Sequence, residues 1–142
     1  MKGKICLVTG ASSGIGKATA LGLAKMDATV VMVCRDSARG EAALTEIRQK
    51  GGTGDADLLV ADLSSQAEIP RLADQYSRKY NRLHVLINNA GVYYTKRHVT
   101  VDGLETMFAV NYLGRFLLTS LLLDIIKRRS PARIINVAGA YH

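Results

Sequence analysis

A chain of 142 residues is long enough for one domain with its own core, and 48% apolar content with only two prolines excludes a disordered polymer. The net charge of +7 raises the question of a nucleic-acid partner. The basic residues are spread along the chain, however, and the densest cluster (Lys127, Arg128, Arg129 and Arg133) falls at a predicted helix end, where cations suit the dipole. No nucleic-acid partner is expected.

Met1 leads straight into the first apolar run, without a signal or transit pattern. The longest apolar stretch, Phe116 to Ile126, is interrupted by Asp124 and is too short to span a bilayer. The expectation is a cytoplasmic chain with no transmembrane segment. Cys6 and Cys34 fall within apolar runs and read as small buried hydrophobes rather than a redox pair. His84, His98 and His142 have no ligand spacing with cysteine or carboxylate, so no metal site is expected.

In chain order, Lys4–Thr9 reads as a strand and Gly14–Met26 as a helix. Thr29–Cys34 is a second strand, and Ser37–Lys50 a helix closed by Gly51 and Gly52. Leu58–Ala61 is the third strand. Gln66–Tyr80 is a helix opened by a Ser65-x-x-Glu68 capping box, with Pro70 near its first turn. Val85–Asn88 is the fourth strand. Asp102-x-x-Glu105 resembles another capping box, opening a long helix to about Arg128, and Ile134–Val137 is the fifth strand.

The strands are continuous apolar runs, the pattern of strands buried on both faces. Regular β-α-β alternation then gives right-handed crossovers and an α/β, Rossmann-type doubly wound parallel sheet of five strands in the order 3-2-1-4-5, forming one domain. Ligands of such sheets lie beyond the carboxyl ends of the strands.

After the first strand comes TGASSGIG, Thr9 to Gly16. Gly10, Gly14 and Gly16 supply a tight turn, room beside a pyrophosphate, and close packing of helix on sheet; Ser12 and Ser13 add hydroxyl donors. The helix that follows directs free N–H groups at phosphates. Gly10, Ser12 and Gly14 also spell G-x-S-x-G, the nucleophile elbow of α/β-hydrolases. That pattern needs strands before it, and here it follows the first one. Dinucleotide binding is the better reading.

The adenosine ribose in such folds is read at the end of the second strand, where an acid favours NAD and a basic group favours NADP. Cys34 stands where an acid is expected, Arg35 follows, and Asp36, one step further, should point away or cap the next helix. Guanidinium suits a phosphate, so NADP is expected over NAD.

With these residues placed, the sequence resembles the short-chain dehydrogenase/reductase family over its whole length. The resemblance rests on TGASSGIG at 9–16, Asp62–Leu63, NNAG at Asn88–Gly91 and VNYLG at Val110–Gly114. The stretch from Asn88 to Leu123 further resembles the retinol dehydrogenase-like and protochlorophyllide reductase-like branch. The resemblance implies NADP and a bulky apolar alcohol or carbonyl, and a possible homo-oligomer. It implies cofactor contacts by Gly10, Ser12, Ser13, Gly14, Ile15, Gly16, Asp62, Leu63, Asn89, Ala90 and Gly91, with Asp62 and Leu63 at the adenine. It also implies that Asn111 is the asparagine of the catalytic tetrad.

The family's remaining catalytic groups are a serine after the fifth strand and a tyrosine and lysine spaced Y-x-x-x-K. A nearby lysine cation lowers the tyrosine pKa so that it can deliver a proton. Here the serine positions hold Ala138 and Gly139, and no Y-x-x-x-K occurs: Tyr141 has no residue 145, and Ser130 lies before the strand. The resemblance therefore implies an oxidoreductase domain that is incomplete after the fifth strand, able to hold the dinucleotide but inactive alone. The alternative is a non-catalytic dinucleotide-binding module. An uncovered, uncharged fifth strand would also leave an aggregation-prone edge, with Leu117, Leu118, Leu121 and Leu122 short of neighbours.

Overall fold

The computed structural model describes residues 1–128 and 131–139; Arg129, Ser130, Tyr141 and His142, named above, lie outside the described residues. Five strands, β1 (Ile5–Thr9), β2 (Thr29–Cys34), β3 (Ala56–Val60), β4 (Val85–Asn88) and β5 (Arg133–Asn136), alternate with helices α1 (Gly14–Lys25), α2 (Ser37–Lys50) and α3 (Glu68–Lys79). A longer helix, α4 (Thr106–Lys127), precedes β5. The sheet is parallel throughout, in the order β3-β2-β1-β4-β5, as the alternation predicts.

The continuous apolar runs have a direct physical reason. Successive strand residues point to opposite faces, and both faces are covered. Leu7, Val31 and Leu86 point into one core layer with α3 and α4, around the fully buried Tyr76, Leu118 and Leu122. Cys6, Val8, Val30 and Met32 point into the other, with Ala20 and Ala24 of α1 and Leu44 and Ile47 of α2. Both cysteines are buried and unpaired by disulfide. Burial pushes the Cys6 thiol up to about 11, against the weaker pull of the N-terminal charge.

Several sequence expectations shift, among them the bounds of β5, which spans Arg133–Asn136 rather than Ile134–Val137. The third strand starts at Ala56 rather than Leu58, because Ala56 and Asp57 pair with Val30 and Val31. Asp57 is tolerated there because Lys79 Nζ and Tyr80 Oη reach its carboxylate at 2.5 and 2.9 Å. Neither capping box forms. Glu68 accepts from the Asp62 N–H at 2.6 Å. Asp102 accepts from the Gln66 N–H at 2.8 Å, tying a distant loop to the start of α3. Helix α4 is instead capped by Glu105, whose carboxylate takes the Met107 and Phe108 N–H groups at 3.0 and 2.7 Å; these bonds hold it below the usual carboxylate range.

The 22 residues of α4 are long and apolar enough to cross a membrane by length and composition, contrary to the expectation from the Phe116–Ile126 stretch. In the fold it serves as a core helix: Leu118, Leu122, Ile125 and Ile126 are buried against the sheet. Leu118 and Leu122 thus keep their neighbours, whereas Leu121 is exposed. Among the described residues, all four of β5 are exposed, with Ile134 and Ile135 at 39% and 44%.

Candidate functional site

The carboxyl ends of β1 to β4 meet at a cleft of about 360 Å³. Of the residues singled out in the sequence, it gathers Gly10, Ser12 and Ser13 from the loop after β1 and Arg35 from the end of β2. Asp62 and Leu63 follow β3, and Asn89, Ala90 and Gly91 follow β4. These residues come together because parallel strands deliver all their following loops to one end of the sheet.

Gly10 adopts φ +66°, a left-handed turn open to glycine, and a Cβ there would lie 2.9 Å from the Ala90 Cα. Gly14 is also left-handed at φ +55°, with open space around it. Gly16 shows the closest approach: a Cβ would stand 2.2 Å from the Gly10 carbonyl oxygen and 2.4 Å from Asn89 Nδ2. Gly14, Ile15 and Gly16 shape the loop and the start of α1 without lining the cleft, and Ile15 is 68% exposed.

Asn89 is a bracket across the sheet. Its Nδ2 donates to the carbonyl oxygens of Thr9 and Gly10, at 3.0 and 3.3 Å. Thr9, unremarked in the sequence beyond its place in the motif, completes the joint. Its hydroxyl oxygen accepts from the Asn89 and Ala90 N–H groups, both at 3.0 Å, and its hydroxyl donates to the Ile87 carbonyl. NNAG is therefore more than a turn after a strand; it locks the glycine loop to the end of β4.

Asn111 sits in a π-type segment of α4, Ala109–Gly114; such single-turn irregularities often occur at functional sites. Its amide is committed to one partner. Oδ1 accepts from the Val92 N–H and Nδ2 donates to the Val92 carbonyl, each at 2.8 Å. The side chain thus braces the backbone just past Gly91 and does not line the cleft. One turn on, Arg115 donates to the carbonyls of Val137 and Ala90 at 3.2 and 3.4 Å, holding the ends of β4 and β5 together. Gly139 is exposed, with nothing within 4 Å of a Cβ built on it, and Ala138 is exposed beside it.

At the end of β2, Asp36 caps α2, accepting from the Arg39 N–H at 2.9 Å. Cys34 is 2% exposed. Burial pushes its thiol up, while the Ala11 N–H, a Ser12 hydrogen bond and the Arg39 charge pull the other way. Arg39 also lines the cleft. The sequence reading missed it, although its place in the first turn of the helix after β2 is a usable signal. First-turn residues of such a helix lie over the carboxyl end of the strand before it. No group of His, Cys, Asp and Glu among the described residues could hold a metal ion.

A backbone position closed to any Cβ at Gly10, hydroxyl donors and a guanidinium lining a cleft at the switch of strand order fit a dinucleotide, and the fold is that of the doubly wound nucleotide-binding proteins. The family profile of the short chain dehydrogenases matches residues 4–141, and the chain belongs to that family. It is 45% identical to mouse retinol dehydrogenase 12 over 142 residues, covering 99% of this chain and 44% of that protein. It is 43% identical to human retinol dehydrogenase 13, covering 99% of this chain and 42% of that one. The chain thus spans less than half the length of these curated relatives. Among solved structures, a metagenomic short-chain oxidoreductase in complex with NADP superposes with a TM-score of 0.87 at 31% identity, covering 99% of this chain and 64% of that one. The Pseudomonas aeruginosa RhlG/NADP complex gives 0.82 at 34% identity, covering 94% and 54%.

Proposed function

We propose that the chain is the dinucleotide-binding portion of an NADP-preferring short-chain oxidoreductase, whose whole protein interconverts an apolar alcohol, retinol-like in character, and its carbonyl. The observation that carries the reading is the cleft at the end of β2, where Arg35 lies beside a buried, neutral Cys34 in place of an acid. NADPH would supply the hydride for carbonyl reduction, and NADP+ would accept it in alcohol oxidation. Gly10 and the N-terminus of α1 would take the pyrophosphate, Asp62 and Leu63 the adenine, and Ala90 and Gly91 the adenosine ribose. Asn111 holds the Val92 backbone in position beside them.

A second reading, a module that binds the dinucleotide without reacting, is favoured by Ala138 and Gly139, small side chains where the family's polarising serine is expected. Purified chain mixed with NADPH and a panel of aldehydes including retinal tests both dinucleotide binding and the absence of turnover in this chain. Binding without turnover is expected; turnover above background refutes the loss of catalysis. NADH binding tighter than NADPH refutes the cofactor preference. The buried, unpaired cysteines suit a reducing, cytoplasmic setting. The exposed Phe108, Tyr112 and Phe116 on α4 suit a homo-oligomeric contact, which sedimentation would detect.

A further inference from the structure

The segment between β4 and α4 leaves the cleft at Val92 and runs through residues 93–98 to a tight turn at 100–103. We propose that this turn is a docking surface for an anionic lipid bilayer, with Val99 and Val101 entering the interface and Lys96 and Arg97 meeting the headgroups. The inference goes beyond the dinucleotide reading and does not depend on it.

The turn is tied down from within, yet its tip is apolar. The Thr100 N–H donates to the Leu104 carbonyl at 2.8 Å, and the Gly103 N–H donates back to the Thr100 carbonyl at 3.0 Å. The Thr100 hydroxyl oxygen accepts from the Asp102 and Leu104 N–H groups at 3.2 and 3.3 Å. Val99 pairs with Glu105 at the base of the turn, and the Thr106 N–H donates to the His98 carbonyl at 2.9 Å. With the Thr100 hydroxyl facing inward, Val99 and Val101 on either side of it face out, and they are 52% and 88% exposed. Turns favour Gly, Asn, Asp and Ser, and a valine this exposed adds nothing to the core.

The charges of the segment are sorted in the same sense. Asp102 Oδ2 accepts from the Gln66 N–H at 2.8 Å, and the Glu105 carboxylate is spent on the Met107 and Phe108 N–H groups. Lys96 and Arg97 are exposed, and among the described residues neither forms an ion pair. The segment thus engages its acids with the protein's own backbone and presents cations and two valines to the solvent. Tyr93 is exposed in the same segment, a residue type that suits the headgroup layer.

An anionic leaflet answers both features at once. It attracts basic residues near its surface, about fivefold in affinity for each, and it takes exposed apolar side chains out of water. A nucleic acid would use the cations and leave Val99 and Val101 in water. Because Val92 lines the cleft, docking through this turn would hold the mouth of the cleft beside the bilayer.

The test uses the full chain with vesicles of phosphatidylcholine, alone and with phosphatidylserine added. The sequence contains no tryptophan, so Val101→Trp introduces a sole indole at the tip. Met26→Trp, exposed at the far end of α1, is the control. Tip emission should shift to the blue with anionic vesicles and be quenched by brominated acyl chains, while the control does neither. In co-sedimentation, Val101→Asp should weaken binding to anionic vesicles about tenfold, and Lys96→Glu and Arg97→Glu about fivefold or more each. Melting temperature and NADPH affinity in solution should stay at the wild-type values, which separates this inference from the cofactor reading. No binding to anionic vesicles by the wild-type chain overturns the proposal. So does binding that Val101→Asp leaves unchanged, since another surface then makes the contact. Self-association abolished by Val101→Asp, without vesicle binding, would assign the tip to a second copy of the chain and overturn it as well.

Discussion

Two glycines on one helix, α1, should respond to alanine in opposite directions. At Gly16 an added Cβ would stand 2.2 Å from the Gly10 oxygen and 2.4 Å from Asn89 Nδ2. The first neighbour is backbone, and the second belongs to a side chain pinned by the Thr9 and Gly10 carbonyls, so neither can yield cheaply. Overpacking costs about 1–3 kcal/mol, and disturbing two hydrogen bonds adds about 0.5–1.5 kcal/mol each. Alanine returns about 0.8–1 kcal/mol through helix propensity. The net loss for Gly16→Ala is about 1–5 kcal/mol, a fall in melting temperature of about 4–20 °C for a domain of this size. At Gly22 nothing lies within 4 Å of the added Cβ, so only the propensity remains. Gly22→Ala should raise the melting temperature by about 2–4 °C. Thermal denaturation followed by circular dichroism reads both, and NADPH fluorescence reads the glycine loop directly. NADPH binding should weaken in Gly16→Ala alone. Equal melting of Gly16→Ala and wild type, or a comparable fall in Gly22→Ala, would refute the argument from close approach.

Two further outcomes test the frame of the fold. Burial raises the Asp57 pKa, but Lys79, Tyr80 and the Leu58 N–H together outweigh it and hold the carboxyl below its ordinary value of 3.8. A depressed folded-state pKa stabilises fully above the unfolded value and is lost as pH falls through the folded one. Urea denaturation of wild type should therefore weaken below about pH 4, and Asp57→Asn should flatten that part of the profile; an unchanged profile argues against the Asp57 cluster. At the opposite end of the sheet, His84 Nδ1 accepts from the Ile5 N–H at 2.9 Å. His84→Phe leaves that donor without this acceptor and should cost about 1–3 kcal/mol in urea denaturation. Wild-type stability in the variant would show that the bond contributes nothing.

The layer order, the parallel sheet and the glycine loop were legible in the sequence for a local reason. Apolar β-branched runs broken by helical patterns report burial of each segment by itself, and glycine spacing reports backbone freedom within a few residues. Boundaries set by distant partners were not legible. Asp57 lies inside β3 because Lys79 and Tyr80, 22 and 23 residues later, meet its carboxylate. Asp102 caps nothing nearby; it serves Gln66, 36 residues away. Likewise Glu68, read as half of a capping box, turns back to the Asp62 N–H.

The sequence by itself determined which residue types stand after each strand: glycines after β1, arginine after Cys34, NNAG after β4, and Ala138 and Gly139 after β5. Tertiary structure alone decided which of them share a cleft and what each side chain is free to do. Asn111 is spent on the Val92 backbone, Asp36 is spent on capping α2, and Gly40 lets Arg39 reach the same cleft as Arg35. The reason is geometric. A hydrogen bond forms only within about 3.5 Å, and chain distance says nothing about such proximity once the strands are laid side by side.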